Sequence, residues 1–285
     1  MTPALSPRAT LEALFAAALA AVDPAAAVAR TIERGPGDRG ALSIAGVPFA
    51  SESRFVVFAA GKAACTMAAA LENVLGDRIV RGLAVTKDGH ALPLRTLVTI
   101  EAAHPVPDQR CAHAAAEALA LAGSVEREEA LIVLLSGGAS ALLTAPPAGL
   151  EQEDLARTTA DLLAAGADIE DLNCVRKHLG TVSGGRLASR ARGARVVELV
   201  VSDVIGDRLD VIGSGPCSAD PTTFGDALAV LERRGLRERV PRAVVAYLEA
   251  GAQGKLPETP KPGDPALRRV VARVIAANSD ALEAA

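Results

Sequence analysis

Short, unbroken apolar runs alternate with stretches of helical spacing over most of this chain. Residues 55–59 are apolar throughout, end at Gly61-Lys62, and lead into a helical pattern over 63–75 that Gly76 closes. Residues 79–86 and 96–101 read as the next two strands. They close on Lys87-Asp-Gly-His90 and His104-Pro-Val-Pro-Asp108, and a helix over 109–122 follows. The fourth strand, 131–135, runs into Ser136-Gly-Gly-Ala-Ser140, and a fifth, 196–201, ends in Ser202-Asp203. Strands that are apolar along their whole length and separated by helices are buried on both faces. The pattern predicts an α/β protein with a Rossmann-like, mostly parallel sheet and helices on both faces.

The flanking segments complete the expectation. Residues 7–22 and 24–34 read as two helices broken at Asp23-Pro24, 35–40 as a loop, and 42–44 with 47–49 as a small hairpin. Helices are predicted over 150–165, 168–179 (with Asp168 as its cap), 186–191, 223–234 and 241–250. Residues 268–277 have strand character, and Asn278-Ser-Asp280 opens a helix that stops five residues later. A globular chain rarely ends there, so a continuation beyond Ala285 is expected. We place the Rossmann-like domain at 1–220 and the start of a second, smaller α/β domain at 221–285.

In parallel sheets, ligands gather outside the carboxyl ends of the strands. Lys62, His90, His104, Ser136 and Asp203 all fall at such ends. Ser136, Gly137, Gly138 and Ser140 form a turn whose successive N–H groups can converge on an anion, and the following helix adds its dipole. The same residues also suit a close strand–helix packing turn that needs small side chains. Lys62 is poorly placed for a solvent-facing lysine, because a helix start is already positive. An ammonium there can neutralise a phosphoryl group in transfer. Asp203 and Asp207 are candidate Mg²⁺ ligands, although aspartates at strand ends also cap turns. Arg176 and Lys177 offer a basic wall for phosphate, or a solvated helix face. His90, His104 and Asp108 could serve as acid or base, with His90 also a candidate for binding substrate or phosphate, although His104 before Pro105 equally suits a turn.

Composition narrows the field. There is no Trp, one Tyr and five Phe among 285 residues, too few stacking aromatics for a single-strand nucleic-acid binder. Net charge is −4, which argues against a general polyanion surface. The four cysteines are widely spaced without a CxxC pair, a pattern suited to a reducing, cytoplasmic setting and not to a zinc site. The apolar N-terminal run is interrupted by Glu12 and preceded by Ser6-Pro7, so it reads as an amphipathic surface helix and not a secretion signal. No run is long enough to span a membrane. Gly213-Ser-Gly-Pro216 only superficially matches a dinucleotide fingerprint, because Pro216 interrupts it and no long helix opens there.

Taken together, several segments resemble the glycerate 2-kinases of the MOFRL-associated type, some of which are labelled hydroxypyruvate reductases. The segments are Ala60-Gly-Lys-Ala63, Thr86-Lys-Asp-Gly-His90, Glu101-Ala-Ala-His-Pro-Val-Pro-Asp108, Leu135-Ser-Gly-Gly-Ala-Ser-Ala141 and Leu172-Asn-Cys-Val-Arg-Lys-His-Leu179. Ser202-Asp-Val-Ile-Gly-Asp207, Ser214-Gly-Pro216, Asp220-Pro-Thr-Thr-Phe224 and Glu258-Thr-Pro-Lys-Pro-Gly-Asp264 follow in family order. The resemblance implies ATP-dependent phosphorylation of D-glycerate to 2-phosphoglycerate with Mg²⁺, and it matches the family's functional lysine to Lys62. It implies glycerate and a nucleotide as partners, neither nucleic acid nor membrane, and it leaves a homodimer open. Two departures stand out: Asp88 occupies a position where an aromatic is more usual, and the C-terminal MOFRL region with its catalytic arginine is absent. The rival expectations are an NAD(P)H-dependent hydroxypyruvate reductase and a non-catalytic ligand-binding remnant.

Overall fold

A computed structural model describes residues 6–35 and 41–285. Most of the loop expected at 35–40 lies outside the described residues. The chain opens with α1 (Pro7–Ala21) and α2 (Pro24–Arg30). Ser6 caps α1 by accepting from the Ala9 N–H at 3.2 Å, and Asp23 caps α2 through Ala26 N–H at 2.7 Å. Three short strands, β1 (Ile32–Arg34), β2 (Leu42–Ile44) and β3 (Val47–Phe49), form a small antiparallel sheet. The helix expected over 24–34 therefore ends at Arg30, and Ile32 pairs with Ile44 instead.

The main sheet contains β4 (Arg54–Ala60), β5 (Ile79–Lys87), β6 (Leu97–Ala102), β7 (Glu129–Leu135), β8 (Arg195–Val201) and β9 (Val270–Ala276). All six are parallel, in the order β6-β5-β4-β7-β8-β9. This is the doubly wound order of Rossmann folds, with its switch point between β4 and β7. Side chains alternate across the sheet as strand geometry demands. Val56, Phe58 and Ala60 enter the core under α4 (Gln109–Gly123), α5 (Ala139–Leu142) and α8 (Arg186–Arg190). Phe55, Val57 and Ala59 enter the opposite core, under α2, α3 (Ala64–Leu75) and the small sheet. Burying a side chain such as Phe58 completely contributes roughly 1.5–3 kcal/mol.

A third core belongs to a helical lobe of α6 (Gln152–Ala164), α7 (Ile169–Leu179), α9 (Phe224–Arg233) and α10 (Arg242–Ala252). Asp168 caps α7, accepting from Asp171 N–H at 2.9 Å, and Leu172, Val175 and Leu179 share its buried face. The expected boundary after residue 220 does not follow this packing. Helices α9 and α10 join α6 and α7, while β9 hydrogen-bonds to β8 in the main sheet. The last helix, α11 (Asn278–Ala284), lies against α1. No single helix among the described residues is long and apolar enough to cross a membrane. All four cysteines are buried free thiols.

Glu198 is the anomaly in the sheet. It sits mid-strand in β8, 1% exposed, and neither carboxyl oxygen has a hydrogen-bond partner. The Cys217 thiol beside it opposes the effect of burial only in part, and the pKa is pushed up from 4.5 to about 7. In the unfolded chain this carboxyl ionises first as pH rises, so its contribution to stability falls between about pH 4.5 and about pH 7. The loss is roughly 3 kcal/mol. Glu198→Gln should melt well above the parent protein near pH 8 and by a much smaller margin near pH 5. Parallel melting curves across that range would show that folding leaves the carboxyl's pKa at its unfolded value.

Candidate functional site

The switch point is built from two turns laced together. Gly61 follows β4 with φ +122, and a Cβ there would lie 2.3 Å from Ser136 Oγ and 2.4 Å from Ser136 O. Only glycine permits this approach. Lys62 N–H then donates to Gly137 O at 2.9 Å, Ser136 N–H to Ala60 O at 3.0 Å, and Ala63 N–H to Ser136 Oγ at 3.0 Å. Ser136 is buried, so its hydroxyl joins the two turns and does not face solvent.

Around this junction the functional groups converge. A Cβ on Gly137 would lie 2.1 Å from Asp203 Oδ2. A Cβ on Gly138, which has φ +93, would lie 3.1 Å from His104 Nε2 and 3.4 Å from Lys62 Cγ. Lys62, His104 and Asp203 therefore crowd the same glycine pair from three different strand ends. Burial, reinforced by the charges of Lys62 and Lys87, holds the His104 pKa below its ordinary value, so the ring is neutral at pH 7. Ser140 Oγ lies 3.1 Å from Ser214 Oγ, which in turn donates to Asn173 Oδ1 at 3.0 Å.

A cavity of about 520 Å³ opens beside the turn, with His104, Gly138, Ser140, Arg176, Ser183 and Ser214 on its polar side. No group among the described residues accepts a hydrogen bond from the Arg176 guanidinium, and burial draws its pKa down. A largely desolvated cation without a counter-charge is suited to an anionic ligand.

The other expected residues are placed differently. Lys177 is 3% exposed and points into the lobe, with Nζ 3.5 Å from Asp210 Oδ2 and 3.4 Å from Asp220 Oδ1. Successive helix residues diverge by about 100°, which separates it from Arg176. His90 is exposed and outside the cavity, its Nδ1 donating to Lys62 O at 3.3 Å. Asp203 and Asp207 line a second hollow with Asn278 and Ser279 at the ends of β8 and β9. Among the described residues no three or more His, Cys, Asp or Glu groups cluster as a metal cage. Two carboxylates completed by water are nonetheless a usual Mg²⁺ set.

Sequence reasoning missed Asn173, Asp210, Asp220 and Glu258, and Gln152 on the cavity wall. Asn173, Asp220 and Glu258 lay inside recognisable motifs. Asp220 accepts from Thr222 and Thr259, and Glu258 meets His178 Nε2 at 3.0 Å. Gln152 gave no signal, being a polar residue in an ordinary first helical turn.

An all-parallel sheet in this order, with a lysine turn and a glycine turn meeting at its switch point, defines a Rossmann-type α/β protein. Residues 10–249 match the family described as Domain of unknown function (DUF4147), and the chain belongs to that family. It is 40% identical over 271 residues to the glycerate 2-kinase of Pyrococcus horikoshii, covering 95% of this chain and 60% of that protein. It is 39% identical over 281 residues to a putative hydroxypyruvate reductase of Agrobacterium vitis, covering 99% of this chain and 58% of the relative. A crystal structure of a Pyrococcus horikoshii OT3 protein superposes with a TM-score of 0.88 at 38% identity, covering 99% of this chain and 63% of the other. The chain thus spans about 60% of the length of the curated relative from Pyrococcus. Its fold and family are those of glycerate 2-kinases.

Proposed function

We propose that this chain carries the anion-binding machinery of an ATP-dependent D-glycerate 2-kinase. The convergence of Lys62 and Asp203 on Gly137–Gly138 at the switch point carries the reading. Lys62 would neutralise charge on the transferred phosphoryl group, and the N–H groups of the glycine turn would hold its oxygens. Asp203 and Asp207 would hold Mg²⁺, which would offset phosphate charge. His104, neutral at pH 7, would take the proton from the attacking hydroxyl. Arg176 would bind an anionic group in the cavity. Lys177 would instead stabilise the lobe through Asp210 and Asp220.

The reductase reading finds less support. A dinucleotide site needs a glycine-rich turn after the first strand. Here β4 is followed by Gly61-Lys62-Ala63, and Gly213 lies within, and Gly215 directly after, a single turn, Ile212–Ser214, that opens no long helix. Incubating the protein with D-glycerate, ATP and Mg²⁺ should release ADP in proportion to 2-phosphoglycerate formed. Oxidation of NADH by hydroxypyruvate, with no ADP release from the first mixture, would overturn the assignment.

A further inference from the structure

Lys87 is a second cation at the carboxyl edge of the sheet. It is the last residue of β5 and pairs with Ala102 at the end of β6. The register Ala60↔Val85 sets Lys62 and Lys87 each two residues beyond a paired position, at the ends of neighbouring strands. Alternation along β5 gives Lys87 the face of Leu83 and Val85, the face that lies under α4 and α5. Gly138 opens α5 on that side, and His104 meets it there.

No counter-charge serves Lys87. Glu101, opposite Thr86 in the β5–β6 pairing, points to the other face and accepts from the His90 and Ala91 N–H groups, each at 3.2 Å. Asp88 is engaged by both arms of Arg110 at 2.6 and 2.8 Å. Among the described residues the half-buried Lys87 has no hydrogen bond or ion pair through its ammonium. Its charge and that of Lys62 both bear on the His104 ring. Like charges gathered without a counter-charge cost stability in the empty protein, and a negatively charged ligand removes that cost.

The sheet order separates the two lysines by role. Lys62 adjoins the glycine turn after β7, whereas β4 and β7 both lie between Lys87 and the strand that carries Asp203. Lys87 is thus remote from the carboxylates proposed for the metal, but close to His104. A 2-hydroxy acid carries its carboxylate on the carbon next to the reacting hydroxyl. The group that holds the carboxylate must therefore neighbour the base that takes the hydroxyl proton.

We infer that Lys87 binds the carboxylate of the hydroxy acid and so turns the adjacent hydroxyl toward His104. In the step so oriented, the hydroxyl oxygen bonds to the γ-phosphorus of ATP and its proton passes to His104. The bond from that phosphorus to the bridging oxygen breaks, and ADP leaves with the bonding pair. Lys87 then sets two properties: a requirement for an acid over the corresponding polyol, and transfer to the hydroxyl beside the carboxylate over the terminal one. This inference rests on the kinase reading for the identity of the substrate.

Isothermal calorimetry on the 285-residue chain with D-glycerate, glycerol and ADP tests it. The parent should bind D-glycerate and should not bind glycerol measurably. Lys87→Met should weaken D-glycerate binding by roughly tenfold to a hundredfold, the loss of one charge-assisted hydrogen bond, and leave ADP binding unchanged. Lys87→Arg should recover part of the loss. In turnover, Lys87→Met should raise KM for D-glycerate in the same proportion and release 3-phosphoglycerate beside 2-phosphoglycerate. A melting temperature equal to the parent's would show that the variant folds. Unchanged D-glycerate affinity in Lys87→Met, or a loss that includes ADP, overturns the inference and leaves the kinase reading standing. If the parent binds no D-glycerate the inference falls, and if it also binds no ADP the kinase reading falls with it.

Discussion

Gly61→Ala should destabilise the protein by roughly 4–6 kcal/mol, a large share of the 5–15 kcal/mol typical of a folded domain. Two costs combine. The backbone at φ +122 is closed to residues with a side chain, at about 1–3 kcal/mol. The added methyl would also stand 2.4 Å from the Ser136 carbonyl, so the two turns must part. Parting them breaks the bonds from Lys62 N–H to Gly137 O, Ser136 N–H to Ala60 O and Ala63 N–H to Ser136 Oγ. Each is worth about 1 kcal/mol net. Gly89→Ala is the control, because Gly89 also has positive φ (+75) but nothing within 4 Å of the added methyl. It should lose only about 1–2 kcal/mol. Urea midpoints of the two variants measure the difference. Equal losses would mean that the turns are not locked together as the structure has them.

The same junction shows how far local sequence carries the fold. Five strands were legible because apolar residues dominate each of them, despite Arg81, Thr99 and Glu198, and such runs favour a sheet covered on both faces. The arrangement β6-β5-β4-β7-β8-β9 was not legible, because pairing β4 with β7 depends on contacts some seventy residues apart, such as Ala63 with Ser136. The strand β1 was hidden for a related reason. Glu33 and Arg34 are polar and exposed, and only the neighbour β2 makes an extended conformation worthwhile. The strand character of 268–277 was visible, but its place as the sheet's sixth strand was not. It is an edge strand, incompletely buried, and its sequence does not specify which sheet it joins.

For the site, sequence located the strand ends but not the directions of side chains. Arg176, Lys177 and His178 looked alike as a basic cluster. In the structure Arg176 lines the cavity, while Lys177 and His178 are sunk among Asp210, Asp220 and Glu258. The carboxylates that draw Lys177 inward come from loops thirty to forty residues further along, so no helical wheel could assign it. Gln152 makes the opposite point. Its residue type and position are ordinary, and only its isolation on an apolar wall sets it apart.

Lys62→Ala should lower phosphoryl transfer from ATP to D-glycerate by roughly 10²–10³-fold, the usual loss when one charge-stabilising donor is removed. The stability of the protein should scarcely change. Lys62 is exposed, just ahead of the first turn of α3, and its ammonium makes no ion pair among the described residues. A helix start already carries partial positive charge, so removing a lysine there costs nothing and can gain about 0.3–1 kcal/mol. Evolution toward stability alone would favour a neutral or acidic residue at this position. On the proposed reading, the lysine serves an anion that is present only when the site is in use, held beside Gly138 at the switch point. The diagnostic is therefore the split between two measurements on one variant: turnover followed by ADP release, and the urea midpoint. Lost turnover with an unchanged midpoint supports the phosphoryl contact, and a midpoint that falls with turnover assigns Lys62 to the scaffold. Lys62→Arg refines the outcome: a guanidinium keeps the charge but spreads it over a planar fork that cannot focus on one oxygen as an ammonium does. Partial recovery in that variant would identify charge as the larger part of the contribution and point geometry as the remainder.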